Sequence, residues 1–227
     1  TLNTHATIQH FIDFSRELAA GGTVLLKNNG VLPLQKGISV SLLGMKSYYP
    51  ILASGQGMPI VGSIITLEDA LSKNRTDFRN ARRNVQRNNI KPSFKKLDDY
   101  DFEGAEMKIN PVPFEAYEGY SKKFSGWGRF TYIPSMQSFN DDISKHFDDP
   151  SLETIEKYAP SFMDSLHEYN DAAIVVVGRP SSENGDYAVG GVYEGQGNTE
   201  PLELTTNERE IIRVATENFD KVVVLVN

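Results

Sequence analysis

The sequence predicts an α/β fold, a mostly parallel β-sheet with helices on both faces. Three observations carry this reading. Residues 172–178, Ala-Ala-Ile-Val-Val-Val-Gly, form an unbroken apolar run, the pattern of a strand buried on both faces rather than one. Residues 221–226, Lys-Val-Val-Val-Leu-Val, are a second β-branched run, also expected to be buried. Between them, residues 206–218 have the length and spacing of a helix. Strand, helix, strand is the parallel βαβ unit, whose crossover is right-handed.

The remaining elements follow in chain order. Residues 5–19 have helical spacing, with Ile8, Phe11, Ile12 and Leu18 expected as the buried stripe and Gly21-Gly22 as its stop. Thr23–Lys27 is a short strand candidate, and Asn28-Asn29-Gly30 is a turn. Ile38–Leu43 is a firmer strand ending at Gly44, followed by a Gly/Ser/Pro-rich loop from Lys46 to Ser63. Thr66-Leu67-Glu68-Asp69 is close to a capping box and opens a helix. Residues 74–150 are the least regular part and read as an insertion. Within it, residues 73–96 hold nine basic residues and one acidic residue, Asp77. That stretch reads as a solvated basic surface facing the acidic residues 98–106. Residues 151–169 are predicted as one helix capped by Ser151, with Glu153 in its first turn.

Bulk properties exclude several functions. A net charge of −7 and a pI near 5.2 argue against nucleic-acid or anionic-membrane partners. With no cysteine, disulfides, thiolate metal sites and cysteine nucleophiles are ruled out. No apolar run approaches the ~20 residues of a membrane span. Thr1–Gly21 lacks a basic segment followed by an apolar core, so no secretory leader is expected in it. The compartment is left open between cytoplasmic and secreted. His5, His10, His146 and His167 have no ligand spacing, so neither a metal nor a cofactor is expected. Gly55-x-Gly57 is followed by Gly62 rather than by a glycine three positions on, with Pro59 where a helix should open. A dinucleotide site is therefore disfavoured. Ser181-Ser182 lack a Gly-x-Ser-x-Gly frame, which disfavours a serine hydrolase.

The candidate chemistry sits just past strand 172–178. Ligand and catalytic groups collect beyond the carboxyl ends of parallel strands. The loop there reads Gly178-Arg179-Pro180-Ser181-Ser182-Glu183-Asn184-Gly185-Asp186. On residue type alone, Glu183 is either a working carboxylate or a solubilising loop charge. Asp186 is either a support for that loop or a turn residue. Arg179 either pairs with a site carboxylate or anchors the loop. Glu194 and Glu200 lie in the same Gly-rich loop and are rivals to Glu183. Ser54 and Gln56, past strand 38–43, are candidate substrate contacts. Trp127, the only tryptophan, stands in Ser125-Gly126-Trp127-Gly128-Arg129, open either to sugar stacking or to packing.

Three segments together resemble glycoside hydrolase family 3, the β-glucosidase-like enzymes. Residues 178–186 resemble the acid/base loop of the family's second domain. Glu17 through Leu34, with Val24-Leu25-Leu26-Lys27-Asn28 and Leu32-Pro33-Leu34, resembles its opening segment. Leu204-Thr205 through Glu208, a helix and Lys221–Asn227 resemble a further strand of that domain. Asn184 in place of a usual glycine, and Pro180 after Arg179, depart from the family pattern.

The resemblance implies that residues 1–227 form a single α/β sandwich domain, with the insertion at about 74–150, incomplete at its end and leaving an exposed sheet edge. It implies that Glu183 is the general acid and then the general base of a retaining, exo-acting β-glycosidase, a β-glucosidase above all. It places the nucleophilic aspartate on a separate (β/α)8 barrel, for which 227 residues leave no room. The chain alone is therefore expected to be inactive. The implied partners are a β-glucoside or oligosaccharide and the barrel domain; a homo-oligomer is left open. Two other classes stay open: a non-catalytic carbohydrate-binding or scaffolding domain, and a nucleotide-binding α/β module.

Overall fold

A computed structural model describes residues 4–48, 67–72, 106–121, 149–178 and 203–226. In chain order the elements are α1 (Thr4–Gly22), β1 (Ser39–Leu43), α2 (Leu67–Ser72), β2 (Lys108–Ile109), α3 (Val112–Ser121), α4 (Leu152–Tyr158), α5 (Phe162–Glu168), β3 (Ala172–Val177), α6 (Thr206–Asn218) and β4 (Val222–Val226). Among the described residues the sheet has four strands in the order β2-β1-β3-β4. Every pair is parallel, with Val40 opposite Ile109, Leu43 opposite Val175 and Val177 opposite Val226.

The expected α/β architecture is thus present, and the burial of β3 shows why. All six residues Ala172–Val177 are buried, so both faces of that strand are covered. The chain steps from β1 to β2 on one side, then crosses to β3 and β4 on the other. With right-handed crossovers, α2 lies on one face and α3–α6 on the opposite face. Helix α6 packs on β3, and α3 packs on β1, α4 and α5. The core joins Val40, Leu42, Phe162, Leu166, Val175 and Ile211.

Helix α6 shows how local sequence sets an element. Thr205 Oγ accepts from the Glu208 N–H at 3.1 Å, and Glu208 Oε2 accepts from the Thr205 N–H at 3.0 Å. This reciprocal pair satisfies two N–H groups that a helix start leaves open. Ser151 caps α4 as expected, accepting from the Thr154 N–H at 3.3 Å. Asn28 closes the predicted turn, its Oδ1 accepting from Gly30 and Leu32.

Five expectations need correction. The single helix at 151–169 is two, because Pro160 interrupts it: Ala159 leaves the helical region at φ −137° and ψ 85°, since a following proline disfavours the α conformation. Thr23–Lys27 forms no strand, and Val24, Leu25 and Leu26 are exposed. Phe11 and Leu18 are exposed rather than buried, since no described element covers that face of α1; the side chains of Ile8 and Ile12 lie outside the described residues. The run at 221–226 is buried only in part. Strand β4 stands at the sheet edge, and Val224, Leu225 and Val226 are exposed. The segment 74–150 also proves to hold regular structure, β2 and α3.

Candidate functional site

The strand order marks one place on the sheet. Connections leave β1 toward β2 and leave β3 toward β4, so they diverge between two adjacent parallel strands. Beyond the carboxyl ends of strands at such a divergence, here β1 and β3, open α/β sheets bind ligands. Gly44 follows β1 and Gly178 follows β3. The segment after β1 carries Ser54 and Gln56, and the segment after β3 carries Arg179, Glu183 and Asp186. These five residues lie outside the described residues, as do Trp127, Glu194 and Glu200. What the fold brings together is the roots of their segments.

Gly44 lets the first root form. Its φ is +86°, and a β-carbon there would lie 2.5 Å from the Val176 carbonyl oxygen on β3. The exit of β1 therefore passes directly against the backbone of the strand that leads to Glu183. The Gly44 N–H donates to the Tyr117 hydroxyl at 2.9 Å. Burial holds the Tyr117 phenol well above its ordinary pKa, the nearby charge of Asp149 adds to this, and the bond from Gly44 opposes it. Met45–Ser47 then makes one 3₁₀ turn.

A cluster of buried charges lies at this turn. Lys46 Nζ is 3.3 Å from Asp149 Oδ2 and 3.5 Å from Glu208 Oε1, with side-chain exposures of 5%, 2% and 0%. Asp149 also accepts from the Met45 N–H. Its carbonyl accepts from Asn207 Nδ2 at 2.7 Å. The cluster joins three roots: the exit of β1, the chain re-entering at Asp149 after the segment holding Trp127, and the start of α6. Sequence reading missed all three residues as a group. The usable signal was Thr205-x-x-Glu208, a capping box that fixes Glu208 at a helix start.

A second polar cluster lies in the sheet itself. Asn110, fully buried, donates to Ser41 Oγ at 3.0 Å and Ser165 Oγ at 2.9 Å, and accepts from the Val112 N–H at 3.1 Å. It ties β1, the end of β2 and α5 together. Among the described residues no group of three or more His, Asp or Glu is placed to hold a metal ion, and no helix is long and apolar enough to cross a membrane.

Comparison with known proteins then identifies the fold's lineage. The model of the glycosyl hydrolase family 3 C-terminal domain matches residues 23–227. The chain belongs to glycosyl hydrolase family 3. The family 3 domain is 24% identical over 225 residues to a β-glucosidase of Ruminococcus albus, an alignment covering 96% of this chain and 18% of that protein. It also resembles β-glucosidase 3B of Thermotoga neapolitana, solved in complex with α-D-glucose, at a TM-score of 0.48 and 19% identity, over 90% of this chain and 22% of that one. The family 3 domain thus spans about a fifth of the length of these relatives.

Proposed function

We propose that this chain is the acid/base-bearing domain of a retaining, exo-acting β-glycosidase that hydrolyses terminal β-D-glucosyl residues. The observation that carries the reading is the adjacency of the β1 and β3 exits in a family 3 domain, with Glu183 on the segment that leaves β3. Retaining hydrolysis needs two carboxyl groups about 5–5.5 Å apart, one attacking the anomeric carbon and one protonating the departing oxygen. Glu183 supplies the second, first as acid and then as base activating water. Arg179 and Asp186 support its loop; Ser54, Gln56 and Trp127 contact the sugar or the neighbouring domain. The nucleophilic aspartate belongs to a (β/α)8 barrel in the same enzyme. Exposed Phe11, Phe14, Leu18 and Val24–Leu26 support a companion domain, because large apolar side chains open to water in such number suit an interface.

The test is made in the complete enzyme, with wild type and Glu183→Ala compared on an aryl β-glucoside with and without azide. General acid–base groups contribute about 10²–10⁴-fold, so a loss of that order is expected. It should fall mainly on deglycosylation, and azide should restore turnover and give a β-glycosyl azide. Unchanged activity would refute the role of Glu183 and turn attention to Glu194 and Glu200.

A further inference from the structure

The apolar residues at the β4 side of the sheet specify its register poorly. All six residues of β3, Ala172–Val177, are buried, and β4 reads Val222-Val223-Val224-Leu225-Val226. Register is normally set by which side chains must face the core. Here a slide of β4 by two residues along β3 exchanges valine for valine or leucine, so the pattern opposes it weakly. Helix α6, which leads into β4, buries Ile211, Val214 and Ala215, and such contacts are non-directional. The start of α6 is held differently. Lys46 Nζ bonds Asp149 Oδ2 and faces Glu208 Oε1. The second oxygens of these carboxylates accept from the Met45 and Thr205 N–H groups, and Asn207 Nδ2 donates to the Asp149 carbonyl. We infer that the Lys46–Asp149–Glu208 cluster is a register lock: it specifies one placement of α6, and through it of β4, and adds little to overall stability. A slide of α6 would part Glu208 from Lys46 and leave buried charges without their partner, which costs far more than an apolar mismatch. Replacing a buried ion cluster by uncharged residues of similar volume is often neutral for stability. What the charges contribute is selection among arrangements. The lock holds whatever the role of Glu183.

The chain has no cysteine, so introduced cysteine pairs report register. Val177 lies opposite Val226. Val224, two residues back, stands about 8 Å from Val177 by ordinary strand spacings, beyond the about 7 Å between α-carbons that a disulfide spans. Oxidation of Val177→Cys/Val226→Cys therefore reads the native register, and that of Val177→Cys/Val224→Cys a slip of two. In the full chain the first pair should close and the second should not. Lys46→Met, Asp149→Asn and Glu208→Gln are then added together, which keeps an acceptor for both backbone N–H groups. The slipped pair should now close at least about 10-fold faster. The urea midpoint of the same triple variant without cysteines should stay within about 0.5 M of wild type. Amide hydrogen exchange at Met45 and Thr205 should quicken about 10-fold, with that at the centre of β3 unchanged. A stabilising role alone would lower the midpoint and leave the slipped pair open. That result, an unchanged closing rate, or faster closing accompanied by a larger fall in midpoint, which reports unfolding, overturns the lock. Should the triple variant not fold, Glu208→Gln alone keeps Lys46 paired with Asp149, and its slipped pair should still close faster than in the parent; no gain there overturns the lock as well.

Discussion

Replacing Gly44 by alanine tests whether the exit of β1 is set by its close approach to β3. The residue has φ +86° and ψ 136°, a backbone conformation that costs a non-glycine residue about 1–3 kcal/mol. The added carbon would meet the Val176 oxygen at 2.5 Å, whereas a comfortable C···O contact is about 3.3 Å or more. Some 0.8 Å, roughly, must therefore be found between two strands held in register. Crowding of this kind costs about 1–3 kcal/mol. The sum, about 2–6 kcal/mol, is a large part of the about 5–15 kcal/mol that stabilises a domain. Gly37 supplies the control. It has φ +81° but nothing within 4 Å of its would-be β-carbon, so Gly37→Ala carries only the backbone cost. Equilibrium urea unfolding, with unchanged m-values as the check on two-state behaviour, should show Gly44→Ala less stable than Gly37→Ala by at least about 1 kcal/mol. Equal losses would refute the reasoning, because the β1 exit would then be free to shift away from β3.

Two further outcomes follow from the polar contacts around the sheet. Asn110→Ala should destabilise by about 2–4 kcal/mol in the same assay, since it removes two donors and an acceptor from a buried site; a loss under about 1 kcal/mol would show that its partners find other bonds. At the opposite end of β1, the Asp171 carboxylate accepts from the Ser39 N–H at 2.8 Å and its hydroxyl at 2.7 Å. These bonds, the backbone one first, hold its pKa below the ordinary value. A depressed folded pKa gives stability that is present above the unfolded pKa of about 3.9 and lost as pH falls through the lower folded one. The stability difference between wild type and Asp171→Asn should therefore be flat from about pH 7 to 5 and shrink below about 4; a difference that grows on acidification would reverse the sign of the argument.

How much of this was legible in the sequence depends on the length of each signal. Strand β3 and helix α6 were readable to within a residue, because six consecutive apolar residues and a capped 13-residue helix admit few alternatives. Strand β2 has two residues, too few for any period, and Pro111 and Pro113 with Gly119 weakened the helical pattern of α3. Burial of α1 and β4 was overestimated because periodicity reports which face is apolar, not whether anything covers it. The carboxyl-end location of the candidate site was legible from strand type alone. Its supporting charges were not: Lys46 and Asp149 are 103 residues apart, and only the β2-β1-β3-β4 order brings them together.

The charges that were missed also bear on which carboxylate works. Asp149 and Glu208 are both buried carboxyl groups at the carboxyl edge, so on the proposed reading each is a rival for the acid/base role. Their bonding argues against that use. Asp149 accepts from the Met45 N–H and from Lys46, and Glu208 accepts from the Thr205 N–H and lies against the same ammonium. Both carboxylates face the protein interior, with side-chain exposure of 2% and 0%. A group that must give a proton to a departing oxygen and then take one from water needs to reach the substrate in both states. Both carboxylates are instead committed to the contacts that join the three segment roots. On the proposed reading, the acid/base group is therefore to be sought on the segments that lead from these roots, and Glu183 stands on one of them in the sequence.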